Sequence, residues 1–305
     1  MKCIKNNLIK RTHSKPIVYD LYYHETNTRK PLVIFCHGYK GYKDWGAFDP
    51  MSSSFLEAGN ALLKFNFSHN GGTPEQPIDF PDLEAFGNNN YIIELDDLES
   101  VINWVSTAEE FKDEIDINNI ILIGHSRGGA IAILKASEDA RIKKLITWAA
   151  VCDFNRSMFE QGAELEQWKK DGVLYIVNGR TKQKMPHYIQ FYYNYSKNKE
   201  RLDVKKAVKQ LSIPQLIVHG EGDLAVPVIH AENLHQWNPA SELMLLPKAN
   251  HVFGASQPWL EDKLPKDFSI VLKNNHFCIY WYKIEKYVFK SKRVIKGNIG
   301  SAKTH

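Results

Sequence analysis

Cysteine is scarce in this 305-residue chain: Cys3, Cys36, Cys152 and Cys278 are scattered, with neither disulfide-framework nor zinc-ligand spacing. Cys36 and Cys152 fall in apolar runs, where a thiol acts as a small core side chain. Long hydrophobic runs are also missing. No stretch approaches the roughly 18 apolar residues of a membrane span. The N-terminus, MKCIKNNLIKRTHS, is charged but has no apolar segment before a cleavage site. No secretion signal is therefore expected, and the cytoplasm is the default compartment.

An excess of one charge is lacking as well, despite a net charge of +4. Residues 281–305 hold seven Lys/Arg against one acid, a local +6 that leaves residues 1–280 at −2. A nucleic-acid binder would carry its basic surface on the folded body, so no nucleic-acid partner is expected, and residues 281–305 read as a solvated basic tail. There are no internal repeats and no low-complexity tract.

What is present is a chain 43% hydrophobic and 24% charged, enough for a substantial core in one large domain or two small ones. Residues 7–12 and 16–23 read as a hairpin, and 30–37 (KPLVIFCH) as a buried strand. A helix is predicted over 49–58 and a strand over 60–67, with a long polar loop over 68–90. Residues 91–105 have the 3–4 spacing of an amphipathic helix. Strands are predicted at 120–123, 142–151, 213–219 and 242–246, with helices over 129–137 and 227–237. Alternating strands and helices predict an α/β fold, a mostly parallel central sheet with helices on both faces and ligands at the carboxyl ends of its strands. Residues 153–203 break the alternation and read as a small inserted lid. It holds an amphipathic run (157–169), a hairpin-like piece (173–185) with Asn178-Gly179 at its turn, and an aromatic cluster of Tyr188, Phe191, Tyr192, Tyr193 and Tyr195. That cluster is either the lid's own core or the lining of an acyl pocket.

The chemistry concentrates where strand 120–123 meets Gly124-His125-Ser126-Arg127-Gly128 and a small-residue helix begins at once. A serine at such a strand–turn–helix apex is strained, and side chains two positions either side would collide, so glycine is needed at both. The turn holds the Ser126 hydroxyl at a helix N-terminus, which favours developing negative charge. A serine hydroxyl needs a base held in one tautomer by an acid. Asp223 follows strand 213–219, with Glu221 as rival acid, and His251 follows strand 242–246 on a loop able to reach over Ser126. His37 and His125 read as packing and hydrogen-bonding residues. His230 and His235, about 140° apart on a helix, do not converge as metal ligands. The glycines at 124–129 lack P-loop and dinucleotide-site spacing. Arg127 and Arg180 are candidates to hold a substrate carboxylate.

Four sequence features together resemble the α/β-hydrolase superfamily, in its branch of small serine esterases and dienelactone-hydrolase-like enzymes. They are His37-Gly38 after an early strand, Gly124-His125-Ser126-Arg127-Gly128-Gly129, Gly220-Glu221-Gly222-Asp223-Leu224-Ala225-Val226-Pro227, and His251. The resemblance covers residues 31–273. It implies an oxyanion hole made by the backbone N–H groups of Tyr39 and Arg127. Dienelactone hydrolases proper use cysteine where this chain has Ser126, and the basic tail has no counterpart in the family pattern. Dehalogenases and epoxide hydrolases place aspartate at the elbow.

The expectation is a single hydrolase domain over 1–280, with the lid inserted at 153–203. It would be a cytoplasmic serine esterase with Ser126, Asp223 and His251 as triad, acting on a small ester without cofactor or metal. The alternatives are a peptidase of aminopeptidase or prolyl-oligopeptidase type, with Glu160, Glu164 and Glu166 able to bind an amine, and acyl transfer to an acceptor other than water. From another class stands a non-catalytic binding protein on the same fold. Oligomeric state is not legible.

Overall fold

The computed structural model describes residues 1–154 and 162–280, with side chains as far as residue 275. The basic tail, Glu160 and the start of the run at 157–169 lie outside the described residues. In chain order come β1 (Lys2–Ile9), β2 (Ile17–Tyr23), β3 (Lys30–Cys36), α1 (Ser52–Glu57), β4 (Ala61–Phe65), α2 (Leu83–Asn88), α3 (Tyr91–Thr107), β5 (Ile115–His125), α4 (Arg127–Glu138) and β6 (Ile142–Trp148). After β6 follow α5 (Ala163–Asp171), β7 (Val173–Val177), β8 (Lys184–Tyr188), α6 (Gln190–Lys197), α7 (Val204–Gln210), β9 (Gln215–Gly220), α8 (Ile229–Trp237), β10 (Glu242–Leu246) and α9 (Lys266–Tyr280).

Eight strands form one sheet in the order β1-β2-β4-β3-β5-β6-β9-β10. The hairpin β1–β2 and the pair β2–β4 are antiparallel, and every pairing from β4 onward is parallel. Apolar runs such as IILI in β5 are buried on both faces because helices cover both, as parallel sheets require. Strand alternation divides the core. Leu32, Ile34 and Cys36 of β3 face a layer with Leu95 and Leu98 of α3, Ile131 of α4, Val208 of α7 and Leu234 of α8. Val33 and Phe35 face the opposite layer, with Phe55 of α1 and Phe268 and Val271 of α9.

The parallel register brings the strand ends level. Cys36 pairs with Gly124, His125 with Trp148, Trp148 with Val218, and Leu246 with Gly220. Loops after β3, β5, β9 and β10 therefore leave the same edge.

Three expectations needed correction. The predicted loop 68–90 contains α2, whose N-cap is Asp82, its side chain accepting from the Ala85 N–H at 2.8 Å. A six-residue helix is too short to give a periodic signal. The first hairpin strand lies at Lys2–Ile9 rather than 7–12, because polar Asn6 and Asn7 sit inside it at a register irregularity. The predicted helix 49–58 shortens to Ser52–Glu57 after a tight turn at Gly46–Phe48.

Between β6 and β9, the antiparallel pair β7–β8 is docked on the segment after β4. Gln183 Nε2 donates to the Phe80 carbonyl at 3.2 Å, Gln190 Nε2 to that of Asn89 at 3.0 Å, and Asn90 Nδ2 to Gln190 Oε1 at 2.9 Å. Tyr188 also hydrogen-bonds Glu84, and Arg180 pairs with Asp79.

Candidate active site

Ser126 sits between β5 and α4 at φ 56° and ψ −121°, the strained apex expected of the turn. The flanking glycines are required by contact. A Cβ at Gly124 would meet the Gly128 carbonyl oxygen at 2.4 Å, and one at Gly128 the His37 carbonyl oxygen at 2.3 Å. Ser126 N–H donates to the Trp148 carbonyl at 2.8 Å, which anchors the apex to β6. Arg127 is the first residue of α4, where a backbone N–H has no partner within the helix.

His251 Nδ1 donates to Asp223 Oδ2 at 2.7 Å. The rival acid, Glu221, is exposed, whereas Asp223 is buried. Asp223 Oδ1 accepts from the N–H groups of Ala225 and Val226, both at 2.8 Å. His219 Nε2 lies 3.4 Å from Asp223 Oδ2 and donates to the Val226 carbonyl at 2.8 Å. Burial works against the Asp223 charge, but the bonds from His219, His251 and the Val226 N–H outweigh it and hold the carboxyl well below the usual carboxylate range.

The loop carrying His251 is pinned. Asn250 Oδ1 accepts from Val252 and Gly254 N–H, and His125 Nε2 donates to the His251 carbonyl at 2.9 Å with ring centroids 4.8 Å apart. Burial pushes His125 down to about 3 and His37 to about 4. His37 Nδ1 donates to the Gly38 carbonyl at 2.9 Å while its Nε2 accepts from Phe67 N–H at 3.2 Å, which braces the turn after β3. Both histidines have the packing and hydrogen-bonding roles expected of them.

Ser126 and His251 open on one cavity of about 240 Å³, whose wall includes Trp45, Phe48, Val252, Lys40, Asn178 and Arg180. The aromatic cluster of the insert is elsewhere: buried Phe191 packs against Tyr91, and Tyr193 is exposed. The cluster is therefore not a core of the insert's own: Phe191, with Tyr192 and Tyr195, joins the main core beside α3, and the aromatic side chains of this cavity, Tyr39, Trp45 and Phe48, come from the turn after β3. Arg127 is also corrected. Its guanidinium is bound to Glu94 at 2.6 Å and lies 4.8 Å over the Tyr39 ring, so it braces α4 against α3 instead of facing a ligand.

Sequence reading missed His219, Lys40, Trp45 and Phe48. His219 was findable, since a histidine four residues before Asp223 at a strand end stands beside it. The others lie in a turn without periodicity and gave no signal. Among the described residues two groups have side chains close enough for a metal: Asp20, Asp44 and Asp49, and Cys152, Asp153 and His230, each with ligand atoms within 4.8 Å of one another. Neither donor set fits an ion. Lys43 and Lys64 pair with all three aspartates between them. Burial pushes the Cys152 thiol up to about 11, and the Cys152 N–H occupies His230 Nδ1 at 3.0 Å. His235 Nδ1 bonds Ser241 Oγ instead. Among the described residues no helix is long and apolar enough to cross a membrane.

The profile described as alpha/beta hydrolase fold matches residues 88–255. An uncharacterized 31.7 kDa protein of the traX-finO intergenic region of Escherichia coli is 30% identical over 132 residues, 42% of this chain and 40% of that protein. Serine hydrolase BPHL of Homo sapiens is 26% identical over 180 residues, 52% of this chain and 59% of the relative. The matches thus span from two-fifths to three-fifths of these relatives' length. An esterase domain from a Rhodothermus marinus protein superposes with a TM-score of 0.60 at 18% identity, covering 90% of this chain and 97% of that one. With a matching profile over more than half its length, an elbow serine and the sheet order described above, the chain belongs to the alpha/beta hydrolase fold family.

Proposed function

We propose that this protein is a serine hydrolase that cleaves carboxylic esters of small substrates. The observation that carries the reading is the 2.7 Å bond from His251 to Asp223 on a cavity wall shared with Ser126, whose backbone is strained at the apex of the turn. Ser126 Oγ attacks the acyl carbon and its proton passes to His251 Nε2. Asp223 fixes the Nδ1–H tautomer and stabilises the imidazolium. The N–H groups of Tyr39 and Arg127 hold the oxyanion. The leaving alkoxide takes the proton from His251, and water, deprotonated by the same ring, releases the acid and restores Ser126. Nothing in these steps calls for a cofactor. Residues 153–203 act as a cap, supported by Asn178 and Arg180 on the cavity wall. Similarity to serine hydrolase BPHL supports the nucleophile assignment.

A peptidase reading is weaker on this geometry. Among the described residues no carboxylate lines the cavity to receive a substrate amine, and Glu164 and Glu166 are exposed on α5.

The test is fluorophosphonate labelling together with hydrolysis of p-nitrophenyl esters of graded acyl length, in wild type and Ser126→Ala. Labelling should vanish and kcat fall by about 10⁴-fold or more in the variant. A folded wild type that is neither labelled nor active would sink the nucleophile, and ligand binding unchanged by Ser126→Ala would favour a binding protein on this fold.

A further inference from the structure

Among the described residues, the wall of the Ser126 cavity carries two cations, Lys40 and Arg180, and no carboxylate. Arg180 is paired with Asp79 at the rim. Lys40 is different. Among the described residues no carboxylate pairs with it; its ammonium lies 5.0 Å over the Tyr39 ring, and desolvation alone lowers its pKa. A partly buried cation without a counterion carries an uncompensated desolvation cost, which an arriving anion offsets. The facing wall of Trp45, Phe48 and Val252 lowers the local dielectric and strengthens that attraction. Asn178 adds to the same side. Its Oδ1 accepts from the Arg180 and Thr181 N–H groups, which leaves its Nδ2 as the group to donate to a ligand.

The Lys40 backbone is also set by its turn. It has φ 53° inside the turn closed by Gly41 N–H to the Gly38 carbonyl at 3.1 Å. This is the turn that presents the Tyr39 N–H, so anion recognition and the proposed oxyanion hole share one piece of backbone.

We propose that the substrate is an ester bearing a carboxylate on its acyl or its alcohol part, recognised by Lys40 as the specificity-determining cation with Asn178 beside it. This inference rests on the serine-esterase reading above. A cavity of about 240 Å³ limits that substrate to a small one.

Two ester pairs in which a carboxylate is replaced by a neutral group of similar size test it: p-nitrophenyl hydrogen adipate against p-nitrophenyl methyl adipate, and 4-carboxyphenyl butyrate against 4-carbamoylphenyl butyrate, each kcat/KM being divided by the rate of the uncatalysed hydrolysis of the same ester. At least one anionic member should exceed its neutral isostere in kcat/KM by about tenfold, and Lys40→Gln should bring the ratio close to one. The preference should also shrink as salt is raised. No preference in either pair, a preference for the neutral members, or one that survives Lys40→Gln would overturn the proposal. If all four esters are inert, the ester reading fails by itself. The anion site is then decided by calorimetric titration with adipate and with adipamide: adipate binding lost in Lys40→Gln sustains it, and equal or absent binding of the two rejects it.

Discussion

Ser126 holds a backbone conformation costing about 1–3 kcal/mol, and the surrounding contacts over-determine it. Its N–H is bonded to Trp148 and its carbonyl accepts from Gly129 N–H at 3.0 Å. Asp97 on α3 shows the same economy of buried polar atoms, accepting from Ser68 N–H at 2.7 Å, Ser68 Oγ at 2.9 Å and Arg11 Nη1 at 2.7 Å. Burial nevertheless outweighs Arg11 and raises its carboxyl to about 6. A folded value above the unfolded one means that the native state holds the extra proton, so stability is greatest below the unfolded value and declines as pH rises through about 6. Wild type should therefore lose about 1 kcal/mol relative to Asp97→Asn between about pH 5 and about pH 7.5. Urea unfolding of both proteins at the two pH values measures this; a gap that stays constant or opens the other way rules out Asp97 as the titrating group.

At the scale of elements, the β7–β8 insert is held by polar bonds to the segment around α2 and by one bond that reaches the active-site turn. Tyr39 Oη and His187 Nε2 of β8 share a hydrogen bond of 2.7 Å, and burial pushes His187 down to about 3, so the ring is neutral. Tyr39→Phe leaves that buried nitrogen unpaired and should cost about 1–3 kcal/mol, read as a lower urea midpoint with an unchanged slope. If the midpoint stays in place, the insert is not anchored through this bond. The elements themselves were largely legible: the buried strands were marked by unbroken apolar runs, and β10 lies at Glu242–Leu246 as expected. Helices α6, α7 and α9 escaped notice, the first read only as an aromatic cluster. Val204–Gln210 is too short to show a period, and α9 gains its meaning only from Phe268 and Val271 packing on the sheet.

Across the whole molecule, the half of the sheet holding β2 and β4 is tied to the turn after β3 by a buried charge network. Lys64 Nζ reaches Asp44 at 2.7 Å, Asp49 at 3.0 Å and the Phe48 carbonyl at 3.1 Å, while Lys43 Nζ reaches Asp20 at 2.8 Å. Lys5 adds a third cation to the three aspartates at 2.8 Å from Asp49, so the charges balance. Phe48 on the cavity wall is tied to this network through its carbonyl, which accepts from Lys64 Nζ. Lys64→Met leaves three carboxylates to share Lys43 and Lys5, so that one negative charge beside the buried Lys64 site is uncompensated, and should destabilise the fold by about 3–5 kcal/mol. Equilibrium denaturation checks it: a loss under about 1 kcal/mol would show the network to be dispensable.

The sequence by itself determined the α/β architecture, the elbow at Ser126 and the order Ser126, Asp223, His251. Each of these is local, set by apolar runs, glycine spacing and strand ends that hydrogen-bonded register then brings level. Tertiary structure alone decided which charges are spent and which are free. Arg127 and Lys40 are equally cationic in sequence. Their difference arises because Glu94, 33 positions before Arg127, packs against it across two helices, while among the described residues no carboxylate pairs with Lys40. Long-range pairing of this kind depends on which faces meet, and a linear pattern does not encode it.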